Sequence, residues 1–297
     1  MLIFDTLLIG LSSGAIYALM ALALVLVWRS TRVVNFAQAG QAILSTYMGY
    51  EVMLRTHSYW ISLPFAILGG AILGAAVDAF LMRPLSKRSH KGSVSEIAPV
   101  IATLGLLGLI RSVTGLIWGN QYLQYTSPLD PKGYSIGAHT VPFSPLNTVI
   151  VIGALAIMAL FAFIFRFTNL GLALRASSFQ PEISQLAGVR VDRIRTIGWA
   201  FAGAAGAVAG ALVTPTTYLS PNSLDLLLVS GFVAAVIGGL ESLIGAVLGG
   251  LILGVGFAFI LQYVGSSVTF SAAFIILIIV LLLRPQGILG KRGGRDA

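Results

Sequence analysis

Apolar runs of about membrane-spanning length recur along the chain from residue 5 to residue 284, separated by short polar connections. Most of them approach the roughly 20 residues that a helix needs to cross the hydrocarbon core of a bilayer. Runs such as Ala272–Leu283 lack the polar–apolar alternation of membrane β-strands. The pattern therefore predicts an all-α, polytopic helical membrane protein with about eight to nine transmembrane helices.

One run is too short for a full crossing, and whether it is counted decides between eight and nine transmembrane helices. Asp225–Gly238 is predicted to be a broken helix or half-helix, of the kind that transporters use near their substrate sites. A weak similarity between Gly10–Leu24 and Gly203–Val213 suggests an internal repeat, which one sequence leaves open. We expect residues 1–297 to form a single transmembrane domain. Its predicted spans are Thr6–Trp28, Gln38–Leu54, Ile61–Met82, Ile97–Trp118, Leu146–Phe165, Thr196–Val213, Asp225–Gly238, Leu243–Val264 and Val268–Leu283.

Composition and charge placement support this interpretation. Hydrophobic residues make up 57% of the chain and charged residues 9%, whereas soluble domains carry about 25% charged residues. Fifteen of the 18 Lys and Arg lie in four connections. Because cytoplasmic loops collect Lys and Arg, we assign these connections to the cytoplasm and the net charge of +8 to membrane topology, not to nucleic acid. The four groups are Arg29/Arg32, Arg83/Lys87/Arg88/Lys91, Arg166/Arg175/Arg190/Arg193/Arg195 and Arg284/Lys291/Arg292/Arg295.

This assignment fixes a predicted orientation. The N-terminus is expected outside, residues 119–145 form an extracellular loop, residues 166–195 form the longest cytoplasmic loop, and residues 284–297 form a cytoplasmic tail. The first span lacks a basic n-region and a cleavage site, so we expect it to be retained.

The sequence contains no recognisable catalytic or metal-binding arrangement. Cysteine is absent, and the three histidines lie in predicted loops. The nearest approach to a phosphate-binding loop, Gly287–Arg292, lacks the required Gly-x4-Gly-Lys-Ser/Thr spacing. We therefore predict that this chain has no catalytic residue, no metal site and no cofactor, and that it is not an enzyme.

Polar residues inside the predicted spans are few. Asn35 and Gln38, between the first two runs, either cap a helix at the interface or line a polar route. Charged groups in a membrane point by default to a route or an internal pair. Asp78 and Glu51 lie near span ends and could instead reach the interface, whereas Arg111 could do likewise or pair with one of these acids.

Several segments, spread over nearly the whole chain, form a recognisable set of motifs. They are Gly10–Leu24 with Arg32–Ala37, Ile101–Leu106, Gly171–Ala176 with Pro181-Glu182 and Leu186–Val189, Ala234–Ser242, and Gly245–Gly250. In content and order these motifs resemble those of the branched-chain amino acid ABC-transporter permeases. The sequence departs from the family at Ala37-Gln38-Ala39-Gly40, where Ala-His-Gly is frequent, so a residue facing the substrate could differ.

The resemblance implies the membrane-spanning permease subunit of an ATP-driven importer in a bacterial inner membrane, translocating branched-chain or similar small amino acids. It implies a second permease subunit, two cytoplasmic ATPases that use ATP and Mg, and an extracytoplasmic binding protein. A short helix, roughly Arg175–Leu186, is expected to begin after Gly171, to be interrupted near Pro181 and to end before Gly188, and it would contact the ATPase. The candidate route residues are Ser12, Ser13, Asn35, Gln38 and Thr103, and the candidate coupling residues are Arg175, Glu182, Leu186 and Gly188.

Other functions stay open from the sequence. A urea or short-chain amide permease is the alternative in substrate, and a secondary transporter, a channel or a non-transporting scaffold is the alternative in class. A proton-coupled carrier needs titratable groups along its route, and these are scarce here. The loop 166–195 could also be an ordinary basic connection.

Overall fold

The computed structural model describes residues 2–88, 97–130, 132–136, 139–284 and 286–289. Parts of the predicted 83–91 loop and most of the predicted 284–297 tail lie outside these residues. The helices are α1 (Leu2–Thr31), α2 (Gln38–Thr56), α3 (Tyr59–Val77), α4 (Arg83–Arg88), α5 (Ala98–Trp118), α6 (Pro145–Phe167), α7 (Asn169–Phe179), α8 (Pro181–Leu186), α9 (Val191–Val213), α10 (Asp225–Gly238), α11 (Leu243–Tyr263) and α12 (Ser266–Leu283). A π-helical turn, Asp78–Met82, joins α3 to α4, and a two-residue hairpin pairs β1 (Ser135–Ile136) with β2 (His139–Thr140).

All nine predicted spans are helical, which confirms the prediction of a polytopic all-α membrane protein. Within the described residues, seven helices are long and apolar enough to cross a bilayer. The other two predicted spans are α2, whose polar residues lower its hydropathy, and α10, which at 14 residues is about 21 Å long.

Hydroxyl side chains fix the starts of three helices. Ser144, Thr168 and Ser242 each accept a hydrogen bond from the backbone N–H three residues later, at 3.2 to 3.3 Å for the first two and 2.9 Å for Ser242. Such N-caps satisfy amides that would otherwise lack a partner in the first helical turn. They place the starts of α6, α7 and α11 at these residues.

The centre of the bundle is α1, which packs antiparallel on α11 at very short range. A Cβ atom on Gly10 would lie 2.7 Å from the Cα of Val255, and one on Gly14 would lie 3.0 Å from the carbonyl oxygen of Gly250. Only glycine allows backbones to approach this closely, as in small-residue contacts between membrane helices.

A second antiparallel pair, α3 and α9, is built in the same way. A Cβ atom on Gly70 would lie 2.5 Å from the carbonyl oxygen of Gly203, and one on Gly74 would collide with that of Trp199. Helices α1–α3 and helices α9–α11 form two sets of three that contact each other in an equivalent way. The first helix of each set packs on the third helix of the other set, as α1 does on α11 and α9 does on α3. It also packs on the second helix of the other set, as α1 does on α10 and α9 does on α2. Because α1 and α9 run in opposite directions, this is the pattern of an inverted repeat.

The described arginines of the four basic groups gather at one end of the bundle, called here the basic end. The Arg29 guanidinium lies 5.6 Å from the centre of the Phe165 ring, and Arg195 pairs with Asp78. At the opposite end, the backbones of Leu123 and Leu219 exchange two hydrogen bonds of 2.9 Å.

Candidate functional site

The break between α1 and α2 is a buried polar turn at the basic end. The side-chain amide of Asn35 donates to Gln38 Oε1 at 3.0 Å, and Asn35 Oδ1 accepts from the backbone N–H of Ala37 at 3.0 Å. Gln38 Nε2 donates to the carbonyl oxygen of Ala202 in α9 at 2.9 Å. Both side chains are fully buried. Their hydrogen bonds hold the start of α2 against α9.

Two other candidate route residues lie far apart. Thr103 of α5 is buried and accepts a hydrogen bond from the backbone N–H of Phe36 at 3.3 Å, so it belongs to the same polar turn. Ser12 instead donates to Asn147 Oδ1 of α6 at 3.2 Å. The structure brings Asn35, Gln38 and Thr103 together, but Ser12 and its neighbour Ser13 lie in the opposite half of α1, about 30 Å along the helix axis from the turn.

Gln41, one helical turn after Gln38, was missed by the sequence analysis. Its side chain is fully buried, and neither its amide nitrogen nor its carbonyl oxygen has a hydrogen-bond partner within the described residues. Buried polar groups in native proteins are nearly always paired, so an open amide indicates a partner such as water or a ligand. The sequence did contain a signal for it, since Gln41 is a second glutamine inside the predicted span Gln38–Leu54.

The predicted coupling segment consists of two helices, not of one interrupted helix starting near Arg175. The first, α7, begins at Asn169 because Thr168 caps it, and Gly171 fits closely against the last turn of α6. The chain breaks at Gln180, and α8 ends before Gly188, whose φ of +84° turns the chain towards α9.

The four candidate coupling residues differ in exposure. Glu182 and Gly188 are exposed, and 89% of Leu186 is accessible, as is 59% of neighbouring Ile183. Arg175 instead folds back and donates to the carbonyl oxygen of Phe165 at the end of α6. Of the four candidate residues, those on or next to α8 are therefore exposed, and Arg175 positions α7 against α6.

Asp78 forms internal ion pairs, one of the alternatives that the sequence left open. It is fully buried at the π-helical turn, where Arg195 Nε lies 2.8 Å from Oδ1 and Arg83 Nε 3.4 Å from Oδ2. The hydroxyl of Thr196 donates to Oδ2 at 2.6 Å. This cluster joins α3 and α4 to the first turns of α9, immediately after the coupling segment.

The remaining charged groups of the spans also form pairs. Arg111 of α5 pairs with Asp225 at the start of α10. Pairing with Glu51 or Asp78 was one of the two alternatives that the sequence left open, and it is not seen among the described residues. Glu51 pairs with Arg55 in the next turn of α2 at 3.2 Å, and Trp118 Nε1 approaches it at 3.5 Å.

The described residues contain no group of three or more His, Cys, Asp or Glu that could hold a metal ion. An inverted helical repeat with broken helices and a buried polar turn at one break defines a protein of the membrane-transporter class.

Comparisons with known proteins specify this class further. The family profile described as "Branched-chain amino acid transport system / permease component" matches residues 6–283. The chain belongs to this permease family. It is 32% identical to the probable branched-chain amino acid transport permease protein LivH of Methanocaldococcus jannaschii, over 92% of this chain and 88% of that protein. It is 27% identical to the high-affinity branched-chain amino acid transport system permease protein LivH of Escherichia coli, over 95% and 94% of the two chains.

A solved structure is also similar. A chain of PsaBC from Streptococcus pneumoniae in complex with Fab matches with a TM-score of 0.52 and 12% identity, covering 94% of this chain and 91% of that chain. At this identity the likeness concerns the fold alone.

Proposed function

We propose that this protein is the membrane-spanning subunit of an ATP-driven importer for branched-chain or similar small apolar amino acids. Its membership of the permease family supports this proposal, since the relatives named above are branched-chain amino acid permeases. An amino acid with an apolar side chain suits a route of small residues and uncharged amides such as Gln41, because an acidic or basic side chain would need a buried counter-charge there.

The observation that carries the ATP-driven mechanism is the exposed α8 at the basic end. Apolar side chains such as Ile183 and Leu186 stand beside Glu182 on a short helix that contacts little else among the described residues. Exposed apolar clusters rimmed by polar residues are typical of protein–protein interfaces. We propose that a cytoplasmic ATPase docks here, and that ATP and Mg are bound by that subunit and not by this chain.

The same proposal specifies partners and orientation. A second permease subunit, either another copy or a related chain, would complete the translocation unit, with two ATPases at the basic ends and a binding protein at the opposite ends. The collection of arginines at one end supports placing that end, and the C-terminus, in the cytoplasm and the N-terminus outside.

The test is uptake of radiolabelled leucine by vesicles that contain the chain together with its genomic neighbours. We expect ATPase subunits to co-purify with the chain, and leucine uptake to stop when their nucleotide sites are disabled. Leucine uptake that persists with disabled ATPases would favour a secondary transporter or channel. Uptake of urea in place of amino acids would contradict the proposed substrate.

A further inference from the structure

A cleft near the opposite end of the bundle lies between the last turns of α5 and the loop that precedes α10. Its volume is about 430 Å³, within the range of about 300 to 1,000 Å³ typical of small-ligand sites. Apolar side chains from both elements and several polar groups form its walls. The lining residues are Arg111, Ser112, Gly115, Leu116, Asn120, Pro221 and Asn222.

Arg111 lines this cleft, and its ion-pair partner Asp225 follows the lining residue Asn222 by three positions. The two side chains remain accessible, at 30% and 44% exposure, although Arg111 lies about 10 Å below the end of α5 at Trp118. Arg111 Nε is buried and has no hydrogen-bond partner within the described residues, so the guanidinium has unused donor capacity. Charges at such depth are costly in a membrane and by default indicate a functional route.

The pair also occupies a specific place in the inverted repeat. Asp225 follows the break between α9 and α10, which corresponds in the repeat to the break between α1 and α2 at Asn35–Gln38. The helix α5 contacts both breaks, through Thr103 at the basic end and Arg111 towards the opposite end. Secondary transporters built from inverted repeats bind substrate near such discontinuous helices.

We propose that this cleft is the first binding subsite for the amino acid, with its α-carboxylate at Arg111 and its α-ammonium at Asp225. This inference rests on the proposed function. A guanidinium binds a carboxylate through two parallel hydrogen bonds, and a carboxylate accepts from an ammonium. A zwitterion therefore replaces both halves of the existing ion pair at once. Leu116 and Pro221 offer an apolar wall to its side chain.

The exposed ion pair of Glu51 and Arg55 does not share this arrangement. Glu51 and Arg55 lie one turn apart on the surface of α2, with Arg55 77% exposed, and neither lines the cleft. Arg111 and Asp225 come from helices 114 residues apart in sequence. Glu51→Gln is therefore the matched control for Asp225→Asn, because both substitutions remove one negative charge at the same end of the bundle.

The absence of cysteine permits a direct occupancy measurement. In the chain carrying Asn222→Cys, the rate of labelling by a membrane-impermeant thiol reagent measures the accessibility of the cleft. In a chain carrying Gln124→Cys, the same rate measures the accessibility of an exposed loop residue outside the cleft. We expect leucine at ten times its dissociation constant to slow labelling of Asn222→Cys about tenfold, because the free fraction falls as 1/(1 + [L]/Kd). Labelling of Gln124→Cys should not change.

Analogues and substitutions test the two contacts. Leucinamide, which lacks the carboxylate, and 4-methylpentanoate, which lacks the ammonium, should not protect Asn222→Cys at concentrations at which leucine does. Protection by leucine should disappear with Arg111→Ala or Asp225→Asn, weaken with Arg111→Lys, which retains charge but not the two-pronged geometry, and persist with Glu51→Gln. Unchanged labelling of Gln124→Cys controls for folding of each variant.

Failure of this inference is distinguishable from failure of the proposed function. If no zwitterionic amino acid protects Asn222→Cys in the otherwise unaltered chain, the subsite is overturned, even where leucine uptake by the assembled transporter continues. Equal protection by leucine and by either analogue also overturns the assignment of the two charges. Loss of ATP-dependent amino acid uptake in the assembled transporter contradicts the proposed function instead.

Discussion

At the scale of single residues, two glutamines of α2 illustrate how similar side chains take different roles. Gln38 is held by Asn35 and by the Ala202 carbonyl, whereas Gln41 is equally buried and has no partner within the described residues. Removing a hydrogen-bonding partner leaves a buried group unsatisfied, but removing an already unpaired group does not. Gln38 is therefore a structural residue, and Gln41 is a candidate for contact with the substrate.

Replacing each glutamine by leucine should separate these roles. Gln38→Leu should lower the free energy of unfolding by about 1 to 3 kcal/mol, because the carbonyl of Ala202 loses its donor. Gln41→Leu should leave the stability of the purified protein unchanged or raised, but should reduce leucine uptake. Denaturant unfolding in detergent and uptake in vesicles provide the two measurements. Destabilisation by Gln41→Leu with normal uptake would contradict this assignment.

Asp78 supports a second prediction at this scale. Asp78→Asn retains shape but removes the negative charge between Arg83 and Arg195, leaving two partly buried cations without their counter-charge. Breaking a buried pair in this way typically costs about 3 kcal/mol or more. Glu51→Gln, in an exposed pair, should change the free energy of unfolding by less than about 1 kcal/mol. Equal effects of the two substitutions in a thermal-unfolding assay would show that the Asp78 cluster is not a buried determinant of stability.

At the scale of helices, close backbone packing holds the two antiparallel pairs together. Gly70→Ala would force the α3 and α9 backbones apart, since the added Cβ would meet the Gly203 carbonyl at 2.5 Å. Overpacking of this kind costs about 1 to 3 kcal/mol. A Cβ atom added to Gly105 of α5 would meet no neighbouring atom within 4 Å, so Gly105→Ala is the control.

We expect Gly70→Ala to lower the temperature at which the detergent-solubilised protein unfolds, and Gly105→Ala to leave it unchanged or to raise it slightly through higher helix propensity. Thermal unfolding followed by circular dichroism measures both. A tolerated Gly70→Ala, with the same unfolding temperature as the natural sequence, would be incompatible with the close α3–α9 contact.

At the scale of the whole molecule, the sequence predicts which segments form helices better than it predicts which charges meet. Hydrophobic runs predicted nine helices, because burial in lipid imposes length and composition locally. All nine segments are helical, and among the described residues seven helices are long and apolar enough to cross a bilayer. Partners such as Asp78 with Arg195 and Arg111 with Asp225 lie more than 100 residues apart, and only the packed bundle brings them together. A charged residue at the start of the short segment 225–238 was the available signal for the second pair.

The coupling segment shows a similar division. The residues Pro181 and Gly188 indicated a helix break and a turn, and both lie where these were expected. The start of α7 was misplaced because the Thr168 cap was not considered. The sequence could not distinguish Arg175, which turns back to Phe165, from Leu186, which is exposed, because that difference depends on the packing of α6 against α7.

We propose above all that α8 forms the cytoplasmic surface to which an ATPase docks. In the cysteine-free chain, Leu186→Cys provides a single thiol on that surface. We predict that an impermeant thiol reagent labels it in inside-out vesicles but not in intact cells, and that the assembled ATPase slows this labelling. Labelling of Leu186→Cys from outside intact cells would contradict both the orientation and the docking surface.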